Sequence, residues 1–375
     1  MRTGRGPDVQ EEFDRLEEHV ASIMLTELIA GLEDQDSAEA EDQQELQVCQ
    51  TIPSKIKLME TNGDQNLTLG TYFLLMGLSD VFWVQIVLFV LFLAISLVTV
   101  MGNLLLIILQ RIDPRLHTPM YFFLGHLSFI DICVTITIVP KMLSIFLLED
   151  KSISFLGCAL QMYFSVTLGS AECFILVAMS YDRHTAICQP LQYQVLMSKT
   201  VCVFLAASCW ITSLVNCLAH TVFTFRRPFC KSREIRHFFC EIQPLLRLSC
   251  DDTRIHEMWV FASTVTIVLC SFLLTLISYI HIISTILKIQ TSKARSKVFS
   301  TCSSHLLVVI IFYTTILSTY MQPISSYTSQ RDRVIAVLYT TVIPMTNPLI
   351  YSLRNKDVKG ALRKAIGTTC CTPKM

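Results

Sequence analysis

Seven stretches of this chain are each long and apolar enough to cross a lipid bilayer, and that decides most of what it can become. A spanning helix needs about 20 mostly apolar residues. Windows of that kind lie at about Phe82–Leu109, Met120–Leu147, Cys158–Ser180, Val201–Phe223, Met258–Leu287, His305–Met321 and Val334–Leu353. The sixth is the weakest, because its start is polar. Composition points the same way: 52% of the 375 residues are hydrophobic and 16% charged, against about 45–50% and about 25% in soluble domains. The expected fold is an all-α membrane protein, a seven-transmembrane helix bundle with no soluble core.

Charge divides the chain. Residues 1–58 hold 5 Lys+Arg against 14 Asp+Glu, and the remainder 25 against 16. The first part reads as an acidic extension, disordered or weakly helical, with Phe13, Leu16, Val20, Met24 and Leu28 at helical spacing. It lacks the basic-then-apolar pattern of a cleavable signal. Residues 59–81 then form an extracellular segment, 82–353 the seven-span domain and 354–375 a cytoplasmic tail. With the N-terminus outside, the inner loops and tail hold 14 of the 25 Lys+Arg beyond residue 58, as the positive-inside rule favours. Seven of the 11 outer ones crowd the long Arg226–Arg254 loop, and long loops escape that rule. The sequon Asn66-Leu67-Thr68 marks Asn66 as a glycosylation acceptor outside the first span. Cys230, Cys240 and Cys250 in the long loop suit an oxidising compartment.

Several residues carry chemistry. Asp182 and Arg183 stand where the third apolar run ends; the arginine is either a snorkelling anchor or part of a switch. Asp131 in the second span and Glu172 in the third are intramembrane carboxylates, which are costly and mark functional sites. They read as one protonated carboxyl bonded to the other, or least favourably as a catalytic pair lacking a nucleophile. Asn347-Pro348 in the seventh span removes a backbone donor and predicts a kink. Cys158 opens the third span, and with the three loop cysteines it allows three pairings. Metal binding with His237 is the rival, though the spacing matches no compact zinc pattern. After Leu353, "RNKDVKGALRK" reads as a short basic amphipathic helix on the membrane surface. Cys370 and Cys371 are palmitoylation candidates or free thiols.

Six segments in order carry a resemblance: Gly102-Asn103, "LHTPMYFFLGHLSFIDIC" (Leu116–Cys133), "SYDRHTAICQPLQY" (Ser180–Tyr193), "HFFCEIQPLLRLSC" (His237–Cys250), "SKVFSTCSSHL" (Ser296–Leu306) and "PMTNPLIYSLRNKDVKGALRK" (Pro344–Lys364). From about Asn66 to Lys364 the chain resembles the olfactory receptors, a branch of the rhodopsin-like G-protein-coupled receptors. The resemblance implies no enzyme. It implies a receptor that takes a small odorant within the bundle and activates a stimulatory heterotrimeric G protein to raise cyclic AMP at the plasma membrane. Membrane lipid is a partner, and no nucleic acid is expected. Asp182 then holds Arg183 at rest, and on activation Arg183 meets the G protein as Tyr279, Asn347, Pro348 and Tyr351 rearrange. The resemblance pairs Cys158 with Cys240 and Cys230 with Cys250, and makes Asp131, Glu172 and Asn347 a sodium site. Oxygen ligands suit a hard cation. No other cofactor is implied.

The same resemblance places the ligand on Ser165, Val166, Gly169 and Ser170 of the third span and Ser263 of the fifth. The sixth adds Tyr313, Ile316 and Tyr320, and the seventh Thr340. With no acid or base in that set, a small neutral volatile is expected, such as an alcohol, ketone or ester. Gly169 reads as helix packing before ligand contact.

The chain departs from the family's Ala-Tyr-Asp-Arg-Tyr-Val at Ser180, His184 and Thr185. His184 either lends the switch pH sensitivity or faces the cytosol and weakens coupling. Thr346 stands where leucine is usual. Met59 begins what looks like an ordinary start for the family, which makes residues 1–58 an upstream extension or an intracellular retention module. Two alternatives remain. One is a related receptor acting outside smell; the other, from another class, is a small-molecule transporter, which would need internal repeats that the chain lacks.

Overall fold

The computed structural model describes residues 72–79, 81–148, 150–230, 232–288, 290, 292–320, 329–354 and 358–364. The expectations for residues 1–58, Asn66, Cys370, Cys371 and the Tyr320 side chain lie outside the described residues.

Backbone polar groups in a bilayer must be satisfied within the segment, and helices do this. The chain follows that rule in α1 (Phe82–Ile112), α2 (Pro119–Leu148), α3 (Phe155–Cys188), α4 (Lys199–Phe225), α5 (Arg254–Leu287) and α6 (Ser292–Tyr320). The seventh, α7, has three parts: Ser329–Val337, a π-helical turn at Leu338–Val342, and Ile343–Arg354. Six of the described helices are long and apolar enough to cross a membrane, while α6 contributes the shorter apolar run His305–Ser318. Polar starts are capped: Ser154 accepts from Gly157 N at 3.0 Å before α3, and Ser198 from Val201 N at 3.5 Å before α4.

Helix α3 occupies the centre, packing on α2, α4 and α5, while α1 packs on α2 and α7. The main core is aliphatic and aromatic, with Phe123, Leu127, Ile130, Met179, Phe312 and Tyr313 nearly inaccessible. Outward-facing residues are as apolar as inward ones: Trp83, Val87, Leu97, Phe204 and Ile277 are all exposed. An apolar exterior of that extent belongs in lipid rather than water.

The structure adds a sheet that the all-α expectation lacks. Strands β1 (Tyr72–Leu75), β2 (Ser152–Ser154) and β3 (Glu234–Ile235) run in the order β2-β1-β3, antiparallel on one side of β1 and parallel on the other. Strands of two to four residues next to apolar runs give no periodicity of their own to read. Beneath them a second core gathers Phe73, Leu75, Cys158, Ile235, Cys240 and Leu245. Asp150 anchors β2: the Ser152 hydroxyl, then Lys141 of α2 at 3.0 Å, hold its carboxyl down at about 2.

Pro348, where a kink is expected, is tied across the bundle. Pro348 lies inside a continuing helix, and its missing N–H frees the carbonyl of Pro344 one turn earlier. The Asn103 amide of α1 donates to that carbonyl at 3.1 Å. Gly102 makes the approach possible, since a Cβ there would stand 3.1 Å from Pro348 Cβ. A π turn at Leu338–Val342 precedes Ile343.

Candidate functional site

A cavity of about 110 Å³ opens among α3, α4, α5, α6 and α7 beneath the long loop. Two disulfides hold the loop: Cys158–Cys240 ties it to α3, and Cys230–Cys250 staples it to itself. Gln161 of α3 adds a third tie, accepting from Cys240 N at 2.9 Å while its own amide donates to Thr137 O at 3.0 Å. Phe239, Glu241, Ile242 and Gln243 therefore form a roof.

Of the residues expected to meet a ligand, Ser165, Val166, Gly169 and Ser170 of α3, Ser263 of α5, Ile316 of α6 and Thr340 of α7 line this cavity. Gly169 faces open space, with nothing within 4 Å of a Cβ built there, so it does not serve helix packing. Tyr313 is absent from the wall: its ring is 1% exposed and packs edge-on against Phe272 at 5.4 Å.

Three wall residues correct the premise that no acid or base is near. His220 of α4, Glu172 of α3 and Glu241 of the roof all line the cavity. His220 stacks on Trp259 at 3.9 Å between centroids, and its Nε2 shares a hydrogen bond with Ser263 Oγ at 2.9 Å. Glu241 accepts from Tyr339 OH at 3.4 Å and faces His237 Nε2 at 3.4 Å. Burial, then the charge of Arg333, pushes His237 down to about 3. That imidazole is therefore neutral, and its contact with Glu241 is not an ion pair. His220 escaped the sequence reading because α4 was assigned no part in the site; the apolar run around it gave no signal.

Deeper in the bundle, Asn347 Nδ2 donates to both carboxylate oxygens of Asp131 at 3.1 Å. Glu172 Oε1 and Asn347 Oδ1 are buried without a hydrogen-bond partner. Two orphaned acceptors beside a buried carboxylate suit a small hard cation, whose ligands are oxygens.

At the end of α3 farthest from the disulfides, Tyr193 OH donates to Asp182 Oδ1 at 2.8 Å, and Arg183 lies within electrostatic reach of Asp182 without a direct ion pair among the described residues. Neighbours in a helix diverge by about 100°, so the two side chains leave the helix in different directions. Arg183 points inward, within electrostatic reach of Tyr279, Cys302, His305 and Tyr351. Tyr279 OH and His305 Nδ1 share a hydrogen bond of 2.7 Å, linking α5 to α6. Burial first, then Asp182, raises the Tyr193 phenol, so it remains a donor. Thr185 bonds back to the Tyr181 and Asp182 carbonyls at 3.0 Å, and His184 packs edge-on against His281 of α5 rather than on Asp182.

Comparison with known proteins identifies the family. The olfactory receptor family model matches residues 92–368. Olfactory receptor 5G3 of Homo sapiens is 52% identical over 303 residues, 81% of this chain and 96% of that protein. Olfactory receptor 5G29 of Mus musculus is 48% identical over 303 residues, again 81% of this chain and 96% of that one. Olfactory receptor 1F1 of Homo sapiens is 48% identical over 295 residues, covering 79% and 95%. The chain belongs to the olfactory receptor family, a group of multi-pass membrane G-protein-coupled receptors that are not enzymes.

Proposed function

We propose that this receptor binds a small neutral volatile in the cavity beneath the long loop and activates a stimulatory heterotrimeric G protein, raising cyclic AMP. In this reading the disulfide-bearing end is extracellular and the Arg183 end cytoplasmic. The observation that carries it is the Ser263–His220 pair, a polar spot on a wall that includes Val166, Ile267, Phe312 and Ile316. Sites of this kind are mostly apolar, with few polar groups fixing orientation. The charged candidates on the wall do not call for a charged ligand. His220 is engaged with Trp259 and Ser263, and Glu241 with Tyr339. Glu172, with Asp131 and Asn347, is better matched to a sodium ion that favours the resting receptor.

The test is an odorant panel read by cyclic AMP, on wild type and Ser263→Ala at equal surface level. Neutral alcohols, ketones or esters should be active. Loss of one hydrogen bond, worth about 1 kcal/mol, should raise the half-maximal concentration of the best agonist about fivefold in the variant. A response confined to carboxylates or amines would overturn the ligand class.

A further inference from the structure

We propose that His184 on α3 and His281 on α5 form a binding site for a borderline-soft divalent metal ion, zinc or copper(II), beside Arg183. The two imidazole centroids are 5.6 Å apart and the rings nearly perpendicular, at 86°. A zinc–nitrogen bond is about 2.0–2.1 Å. Adding the ring radius, two imidazoles on one tetrahedral ion have centroids about 5.2 Å apart. The observed separation is close to that value, and rotation of the side chains brings a nitrogen of each ring onto one ion.

Both rings are available. Neither has a hydrogen-bond or ion-pair partner among the described residues; His184 is half-buried and His281 exposed, so ions can reach them. Metal ligation requires neutral imidazole, and imidazole selects zinc, copper and nickel over the oxygen-seeking calcium and magnesium.

A third ligand stands one turn away. Residues four apart share a helix face, which places Cys188 below His184 and Thr285 below His281. The two lower residues meet across the helices, Cys188 Sγ lying 3.3 Å from Thr285 Oγ1. Among the described residues no three such groups already surround one point. The two histidines are thus the primary ligands, and Cys188 joins when its thiol turns from Thr285 and loses its proton. Water completes the coordination. The bound ion ties α3 to α5 at the turn that carries Arg183. Its effect on signalling rests on the coupling proposed above; the binding itself does not.

The experiment uses the full-length receptor purified into lipid nanodiscs. Zinc is titrated against a fluorescent chelator and cobalt(II) is followed by its visible absorption. His184→Gln and His281→Gln should each weaken zinc at least tenfold, while Cys188→Ser should remove the thiolate–cobalt band with a smaller loss of affinity. Melting temperatures without metal are compared first, and two further variants, His184→Tyr and His281→Arg, replace either glutamine variant that melts early. Wild-type affinity in either histidine variant would overturn the shared site, whatever the receptor's response to odorants.

Discussion

Among the described residues, the Tyr193 hydroxyl is the side chain that donates to Asp182, a carboxylate that is 1% exposed. Leaving a buried charged acceptor short of its partner costs about 1–3 kcal/mol. Tyr193→Phe should therefore lower the melting temperature of the purified receptor by several degrees, while Tyr181→Phe, whose ring is 38% exposed, should not. Equal melting temperatures for the two variants would show that the bond contributes nothing. His237 supplies a pH dependence. Unfolded, it takes a proton near about 6.5; folded, burial delays this until about 3. The unfolded state binds more protons throughout that window, so its contribution is complete above about 6.5 and lost as pH falls through the window. Melting curves from pH 7 to 5 should drop more steeply in wild type than in His237→Gln; parallel curves would contradict it. Residue-level legibility was uneven. Ser165, Ser263 and Thr340 line the cavity. Tyr193 and His220 were missed, because the first reaches Asp182 across a turn and the second sits in an apolar run without a local signal.

At the scale of elements, α1 and α7 are joined by complementary defects. Pro348 strands a carbonyl, Asn103 satisfies it, and Gly102 lets the proline ring close in. Asn103→Leu leaves the Pro344 carbonyl unpaired in the core, which costs about 1–3 kcal/mol. It should cut surface expression severalfold, and Asn103→Gln should recover part of it. If Asn103→Leu reaches the surface at wild-type levels, the tie is dispensable. The dipeptides were visible in the sequence, but their partnership was not, since 241 residues separate Asn103 from Pro344. Helix existence was legible from apolar run length alone. Ends were not: α6 begins at Ser292, well before the apolar window at His305, because hydrogen bonding carries a helix beyond its greasy part. The sheet stayed hidden because strands of two to four residues have no readable alternation.

For the whole molecule, the bundle separates two tasks. One end carries a roofed cavity tied by Cys158–Cys240 and Cys230–Cys250. The other carries Arg183 among Tyr279, His305 and Tyr351, with Asp131, Glu172 and Asn347 between them. Class and architecture were legible because lipid imposes so few solutions. The ligand was less so, because its wall combines helix faces with a loop whose course no periodicity records. A ligand shifts such a receptor only by its differential affinity for the two states, and in the proposed reading Arg183 carries that shift to the G protein. The most direct measurement is odorant-evoked cyclic AMP in wild type and Arg183→Ala, at matched surface level and with odorant binding measured on the same membranes. The account predicts retained binding and a response reduced at least tenfold in the variant. An undiminished response would contradict it.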